Sequence, residues 1–244
     1  MLKIQQAVYT NKTSHVMKKL AMIIGAIAAL FAILWLIGSR TQFEVPEGFE
    51  LGTDTPANIV RSIYNPIFDD VVTFKRFSYE TGGEYTLLEI DLAPGGGNAM
   101  HYHNRFTETF IAKEGMLGVD IGRESFLLDE GERMTVERGQ VHRFHNPGDE
   151  RIVFHVKIEP GSAGFERSLY LMYGLTQDGY ARENGLLKEF DHTAIFLNLS
   201  DTRVPGIINI LNPLFKRAAS RAERSGLQDE LLERYFFSKL EAEE

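Results

Sequence analysis

The stretch GGGNAMHYHNRFTETFIAKEG, from Gly95 to Gly115, decides the fold of this chain. In an extended strand, residues two apart face the same way, so His101 and His103 can direct ring nitrogens to one point. Glu108 lies an odd interval beyond His103, so a turn or bulge in the intervening NRFT must re-aim the chain before its carboxylate joins them. A surface loop needs no such spacing, whereas a metal site does.

A second stretch, GERMTVERGQVHRFHN, supplies the fourth candidate ligand. His142 follows Gly139 there, on a separate predicted strand. Three imidazoles and one carboxylate suit a divalent first-row metal ion, and on an octahedral ion they leave positions for water or substrate. The two stretches together therefore predict one metal centre.

Residues 73–160 consist of short alternating runs separated by glycines. Such runs are typical of strands, and about eight of them predict an antiparallel sandwich or barrel. The same alternation places Phe110, Ala112 and Phe144 in the barrel interior beside the candidate ligands. The predicted pocket wall is therefore partly apolar, as is common for small-molecule sites.

The two motif stretches resemble the paired motifs of the cupin superfamily. The first family motif, G-x5-H-x-H-x(3 or 4)-E-x6-G, is matched at every position between Gly95 and Gly115. The second, G-x5-P-x-G-x2-H-x3-N, is matched from Gly131 to Asn146 except at Glu137, which replaces the proline. This departure affects a turn and no ligand. The resemblance covers about residues 72–160.

The resemblance implies a mainly β fold, a cupin-type double-stranded β-helix or jelly-roll barrel, here assigned to residues 59–164. It implies four ligands to a divalent ion of Fe, Mn, Zn or Ni: His101, His103, Glu108 and His142. Glu108 would also serve as a proton acceptor, which makes it the candidate catalytic residue. The ion would act as a Lewis acid or, if iron, would activate dioxygen.

The resemblance implies a metal-dependent enzyme acting on a small organic molecule, but the fold does not select the reaction. Dioxygenases, isomerases, decarboxylases and hydrolases all occur in this family. Two alternatives stay open. One is a non-catalytic module that binds a small molecule or a metal at the cell surface, and the other is a barrel that acts mainly as an oligomerisation platform.

The composition fits one globular domain with accessory segments, at 244 residues, 43% hydrophobic and 25% charged. The net charge of −8 argues against nucleic acid as a partner, because neutralising phosphates requires a basic surface. The chain has no cysteine, which excludes disulfides, thiolate metal sites and cysteine nucleophiles.

An uncharged run, LAMIIGAIAALFAILWLIGS at residues 20–39, has the length and apolar character of a transmembrane helix. Lysines before the run outnumber Arg40 after it, so we expect residues 1–19 in the cytoplasm and the barrel on the extracytoplasmic side. Residues 40–58 have the polar composition of a linker. A cleaved signal peptide and a buried core helix are the alternatives to a membrane anchor.

Residues 59–72 are expected to form a short helix or turn packed on the barrel, and residues 165–244 a helical extension. In the extension, Asn212 is the expected N-cap of a helix that starts at Pro213 and ends at Gly226. The apolar stripe of this helix packs either on the barrel or on a second subunit of a homodimer, or else it lies on lipid headgroups. The lipid alternative would favour a hydrophobic substrate.

Other polar residues near the motifs are weaker candidates for the site. His145 and His155 are expected to be structural or surface histidines, since neither shares the inward face of the ligands. Tyr102, Arg105 and Arg143 either orient an anionic substrate or lie on the surface, and the surface interpretation is favoured.

Overall fold

The structure is a computed structural model that describes residues 17–30, 32–33 and 59–239. The chain divides into two compact units, residues 1–42 and residues 43–244. In the first unit, residues 17–30 form helix α1, whose side chains are exposed.

No helix within the described ranges combines the length and the apolar character that a membrane span requires. The transmembrane helix predicted over residues 20–39 therefore finds no support there, and its residues 31 and 34–39 lie outside the described part of the chain. The predicted linker, residues 40–58, also lies outside it, as does most of the predicted cytoplasmic segment.

The second unit is built on two facing antiparallel sheets and a smaller strand pair. Its strands are β1 (Ser62–Asn65), β2 (Asp70–Arg76), β3 (Thr86–Leu92), β4 (Tyr102–His103), β5 (Thr107–Glu114), β6 (Leu117–Ile121), β7 (Glu124–Leu128), β8 (Arg133–Val136), β9 (His142–His145), β10 (Ile152–Glu159) and β11 (Thr202–Arg203). The large sheet has the order β1-β2-β3-β10-β5-β8, the second has β7-β6-β9, and β11 pairs with β4. The mainly β architecture predicted for residues 73–160 is confirmed, with nine strands, β2 to β10, instead of about eight.

Strand β5 shows why the sequence forms a two-layered core. Its residues alternate between half-buried and buried, so Glu108, Phe110 and Ala112 face inward. The central strand β10 pairs antiparallel with β5 in a register that sets Ile158 opposite Glu108. The carboxylate of Glu108 therefore points into the interior between the sheets, on the same side of β5 as Phe110 and Ala112.

The segment over residues 59–72 is a β-hairpin, so of the two forms expected for it, a short helix or a turn, the structure contains the turn. Strands β1 and β2 pair with Asn65 opposite Asp70. The side-chain oxygen of Asn65 accepts a hydrogen bond from the N–H of Ile67 at 3.0 Å, and Asp69 adopts a φ of 47°. This Asx turn reverses the chain within four residues, which leaves no length for a helix.

The helical extension is confirmed, although it begins slightly earlier than predicted. Its helices are α2 (Ala163–Gln177), α3 (Phe190–Leu199), α4 (Asn212–Arg224) and α5 (Leu227–Leu232), with a 3-10 helix at Gly206–Leu211 and a π-helical turn at Glu233–Phe237. Asn212 is the first residue of α4 and not its N-cap. The preceding 3-10 helix ends at Leu211, which already has a helical backbone conformation and takes the N-cap position. Gly226, with a φ of 80°, separates α4 from α5 as predicted.

Helix α2 packs directly on the large sheet. The ring of Tyr170 stacks on Phe74 with centroids 5.1 Å apart, and its hydroxyl donates to the carbonyl of Val60 at 2.6 Å. The apolar stripe of α4 is buried only at its alanines, of which Ala219 is fully inaccessible, and these pack beside α3. Helix α4 therefore packs within the extension.

Candidate metal centre

His101 and His142 are brought together by direct backbone pairing. The N–H of His101 donates to the carbonyl of His142 at 2.9 Å, and the N–H of His142 donates back at 2.8 Å. The two rings consequently lie on one face with centroids 4.4 Å apart. This pairing joins the two sequence motifs at the level of the backbone.

The second motif is also tied to His103. Gly139 adopts a φ of 77°, which favours glycine, and its N–H donates to the carbonyl of His103 at 2.7 Å. Glu137 stands where the family motif has proline, and its N–H donates to the side chain of Gln140 at 2.8 Å. That bond holds the turn in which proline would supply rigidity, so the departure from the motif leaves the ligand positions intact.

The four predicted ligand residues converge on one point. One ligand atom from each of His101, His103, Glu108 and His142 lies within 4.8 Å of the others. The odd interval between His103 and Glu108 is spanned by a loop in which Phe106 stacks on the His103 ring at 4.4 Å. This loop provides the re-aiming that the sequence requires.

Each imidazole is held through its Nδ1 atom by a backbone carbonyl. Nδ1 lies 2.8 Å from the Ala99 oxygen in His101, 3.3 Å from the Asp201 oxygen in His103 and 2.9 Å from the Gln140 oxygen in His142. A carbonyl only accepts, so Nδ1 carries a proton in all three rings, and Nε2 carries the lone pair in each ring that is neutral. Three Nε2 lone pairs are thereby oriented for a metal.

The carboxylate of Glu108 lies among these lone pairs. Its Oε2 atom is 2.6 Å from His142 Nε2 and 3.7 Å from His103 Nε2. His103 Nε2 is buried and has no hydrogen-bond partner among the described residues. A buried nitrogen without a partner is costly, and a cation held between these atoms would satisfy it. The residues present therefore fit a metal ion.

The charges of the cluster follow from burial and from the Glu108 carboxylate. Desolvation of the His101 ring lowers its pKa to about 3, and burial lowers the pKa of His103 in the same way. Burial also disfavours a charged His142, but the hydrogen bond to Glu108 outweighs it and raises that pKa. For Glu108, the neighbouring imidazoles overcome desolvation and lower the pKa to about 2. At neutral pH the site thus offers an ionised carboxylate and neutral imidazoles at His101 and His103.

The walls around the cluster are aromatic, as predicted. Phe110 lies 6.0 Å from the His142 ring and the same distance from Phe144. Phe165 of α2 approaches the His103 ring at 6.1 Å, edge to face. An apolar wall keeps the carboxylate and the ring nitrogens out of bulk water and is compatible with an organic ligand.

His145 and His155 lie away from the cluster. The ring of His145 packs directly on Gly118 on the opposite face of β9, with Nδ1 4.0 Å from Asp120. His155 Nε2 donates to the carboxylate of Glu89 at 2.9 Å on the outer face of the large sheet. Both are structural, as the sequence analysis expects.

The three substrate-orienting candidates have other partners. Arg143 is half exposed and pairs with Asp120 at 2.6 Å. The Tyr102 hydroxyl donates to Asn209 of the extension at 3.1 Å. Arg105 approaches the carboxylate of Asp201 at 3.9 Å. The favoured surface interpretation holds for Arg143, whereas the other two contact the C-terminal extension.

Asp201 is the residue that the sequence analysis does not identify. It follows α3 and is 4% exposed, and it contacts the loop after His103. Its position at a helix end suggests only a turn, and nothing in the sequence links it to a histidine so far away in the chain.

Residues 88–161 match the family described as the Cupin domain. Among curated proteins, the chain is 29% identical over 126 residues to the epoxidase atD of Aspergillus terreus, which covers 49% of this chain and 38% of that protein. It is 38% identical over 72 residues to the tetracenomycin polyketide synthase protein TcmJ of Streptomyces glaucescens, covering 29% and 48% of the two chains. The chain thus spans less than half the length of these relatives. The matches support a cupin assignment for the β part of the chain.

Two solved structures are similar to part of this chain. One is described as a predicted oxalate decarboxylase from Thermotoga maritima, with a TM-score of 0.36 and 15% identity over 37% of this chain and 80% of that one. The other is KdgF from Halomonas sp., with a TM-score of 0.33 and 13% identity over the same shares.

Proposed function

We propose that this protein binds one divalent first-row metal ion and is a metal-dependent enzyme acting on a small organic molecule. The observation that carries the proposal is the convergence of one imidazole nitrogen from each of three histidines and one carboxylate oxygen within 4.8 Å. Random surface clusters do not fix every Nδ1 on a carbonyl, and here all three are so fixed. The ligands are His101, His103, Glu108 and His142.

The residues of the site divide into those that hold the ion and those that exclude water. When bound, the ion supplies Lewis acidity or, if it is iron, dioxygen activation. Phe106, Phe110 and Phe144 surround the ligands and lower the local polarity, which strengthens electrostatic interactions with a bound substrate.

Glu108 is the proposed proton acceptor. Its carboxylate is ionised at neutral pH and lies 2.6 Å from His142 Nε2, so this pair holds a proton when no cation separates the two atoms. Because the carboxylate has two oxygen atoms, it can bind the ion through one and accept a proton on the other.

The relative described as an epoxidase favours oxidation among the reactions that the family carries out. TcmJ is described as a polyketide synthase protein, which points to an aromatic or polyketide-like substrate. We propose a dioxygenase-type oxidoreductase, with isomerase and lyase chemistry on the same site as the alternatives. A substrate with a hydrophobic ring system fits the aromatic walls.

The proposed location is a membrane surface. The apolar run at residues 20–39 and the lysines that precede it support an anchor with the barrel on the extracytoplasmic side. Carbonate extraction of membranes and protease protection of closed vesicles test it. Release into the wash, or cleavage of the barrel by protease added on the cytoplasmic side, would contradict the topology.

The metal proposal is tested by elemental analysis of the natively purified full chain. We expect about one first-row metal ion per chain, and loss of that metal when His101 and His142 are both replaced by alanine. Oxygen uptake and product analysis with aromatic polyketide-like substrates then test turnover. Stoichiometric metal with ligand binding and no turnover would support the non-catalytic binding module, and absence of metal would overturn both functions.

A further inference from the structure

We propose that Asp201 is a positioning residue for the metal centre, through which the C-terminal extension holds His103 and the loop that leads to Glu108. The inference rests on the proposed metal site. It gives the C-terminal extension a role in positioning the metal ligands, which the two sequence motifs alone do not predict.

Asp201 contacts three consecutive residues of the loop. Its backbone carbonyl lies 3.3 Å from His103 Nδ1 and accepts the ring proton. Its Oδ2 atom accepts the N–H of Asn104 at 2.7 Å and the N–H of Arg105 at 2.9 Å. One side chain therefore satisfies two neighbouring backbone donors, while the main chain of the same residue orients a metal ligand.

The backbone of Asp201 is shaped for this double contact. Its φ of 50° lies in the left-handed region, where aspartate and asparagine are the commonest residues after glycine. The next two residues pair with the ligand strand, Thr202 opposite His103 and Arg203 opposite Tyr102. Arg203 also lies 3.3 Å from the Asp201 carboxylate. The turn is thus fixed on both sides of the carboxylate.

The position of the loop determines where two of the four ligands lie. His103 enters it and Glu108 follows it, and the carboxylate of Asp201 holds the amides that come directly after His103. If those amides lose their acceptor, the loop gains freedom, and the His103 ring can then move away from the carbonyl of residue 201 that fixes its tautomer. Groups that orient metal ligands in this way typically contribute 10- to 100-fold to metal affinity.

Two substitutions at this position separate the carboxylate from the backbone conformation. Asp201→Gly keeps the left-handed φ without strain and removes the acceptor. Asp201→Asn keeps both the φ and an oxygen that can accept two N–H groups. Asp191→Asn is the matched control, because it weakens an ion pair to Arg221 at 2.6 Å that joins α3 to α4 away from the site.

Cobalt(II) titration of the full chain measures the effect through the dissociation constant and the visible absorption of the bound ion. We expect Asp201→Gly to weaken binding by about 10- to 100-fold and to alter the absorption spectrum, and Asp201→Asn to stay within about threefold of wild type. The control should match wild type in both readouts. Equal affinity and spectrum in Asp201→Gly, or an equal loss in the control, would overturn the inference.

A second readout needs no metal. In metal-free protein with nitrogen-15 histidine, we expect His103 to show a single Nδ1-protonated tautomer in wild type and a mixture in Asp201→Gly. If the wild type binds no cobalt, the metal proposal fails, and this tautomer alone decides whether Asp201 positions the ring. An unchanged tautomer in Asp201→Gly would then overturn the inference.

Discussion

His142 and Glu108 meet across the barrel, with Nε2 2.6 Å from Oε2, although they belong to different sheets. Nδ1 of His142 already donates to the carbonyl of Gln140, so Nε2 presents a lone pair toward the carboxylate. Two acceptors approach this closely only when a proton or a cation lies between them. The two residues therefore share a proton, which they would release if both bound a metal ion.

Replacement of Glu108 by glutamine should weaken metal binding by about 100-fold or more, because a neutral amide replaces the single anionic ligand of the cluster. Competition with a chromophoric chelator measures the dissociation constant. Glu114→Gln is the matched control, since Glu114 lies at the exposed end of the same strand. Unchanged affinity in Glu108→Gln would show that the carboxylate is not a ligand.

The two histidines of β9 provide a second matched pair. His142→Ala should abolish stoichiometric metal binding, because it removes a ligand that the backbone of His101 holds in place. His145→Ala should retain it, because that ring packs on Gly118 on the other face of the strand. Elemental analysis of both variants after equal metal loading checks this. Metal loss in both, or in neither, would contradict the assignment.

The sequence predicts this cluster well because strand alternation and motif spacing are local properties. His101 and His103 share a face by simple alternation, and the second motif supplies His142 from a strand that pairs with His101. The re-aiming before Glu108 is also predictable, since an odd interval demands a turn. Features that depend only on residues a few positions apart are therefore predicted correctly.

The sequence does not predict contacts made by distant backbone groups. Asp201 reaches the loop after His103 from the end of α3, and its role depends on a tertiary arrangement that no local pattern specifies. The sequence leaves open whether residues 59–72 form a helix or a turn, for a different reason. The turn depends on an Asx hydrogen bond from Asn65, and the apolar residues around it fit a helix and a strand equally well.

Within the extension, α2 and the C-terminal π-helical turn pack against each other through a close approach between Gly174 and Tyr235. A methyl group at Gly174 would lie 2.7 Å from Tyr235 Cγ, and Tyr235 is only 4% exposed. Gly174→Ala should therefore lower the free energy of unfolding by about 1–3 kcal/mol, despite the higher helix propensity of alanine. Urea denaturation followed by circular dichroism measures the change.

A double substitution tests the cause of that loss. In a Tyr235→Ala background the obstructing ring is gone, so adding Gly174→Ala should be neutral or stabilising by up to about 1 kcal/mol. Equal destabilisation by Gly174→Ala in both backgrounds would show that the ring is not responsible.

Asp70 is a buried acid at the start of β2 that titrates near neutral pH. It is 6% exposed, and the hydroxyl of Tyr173 donates to its Oδ2 atom. Burial raises its pKa from the usual 3.8 to about 6, against the opposing effect of that hydrogen bond. The protonated acid is thus favoured in the folded state. Its contribution to stability is fully present below pH 4 and is lost as the pH rises through 6.

Replacement of Asp70 by asparagine should remove this pH dependence, because an amide is neutral at every pH and its oxygen still accepts from Tyr173. At about 1.4 kcal/mol per pKa unit, the variant should gain about 3 kcal/mol relative to wild type between pH 4 and pH 8. Urea denaturation of both proteins at the two pH values measures this gain in stability. The contributions of the other titrating groups are the same in both proteins and cancel in the comparison. A wild-type-minus-variant difference that stays constant with pH would show that Asp70 does not ionise within this range.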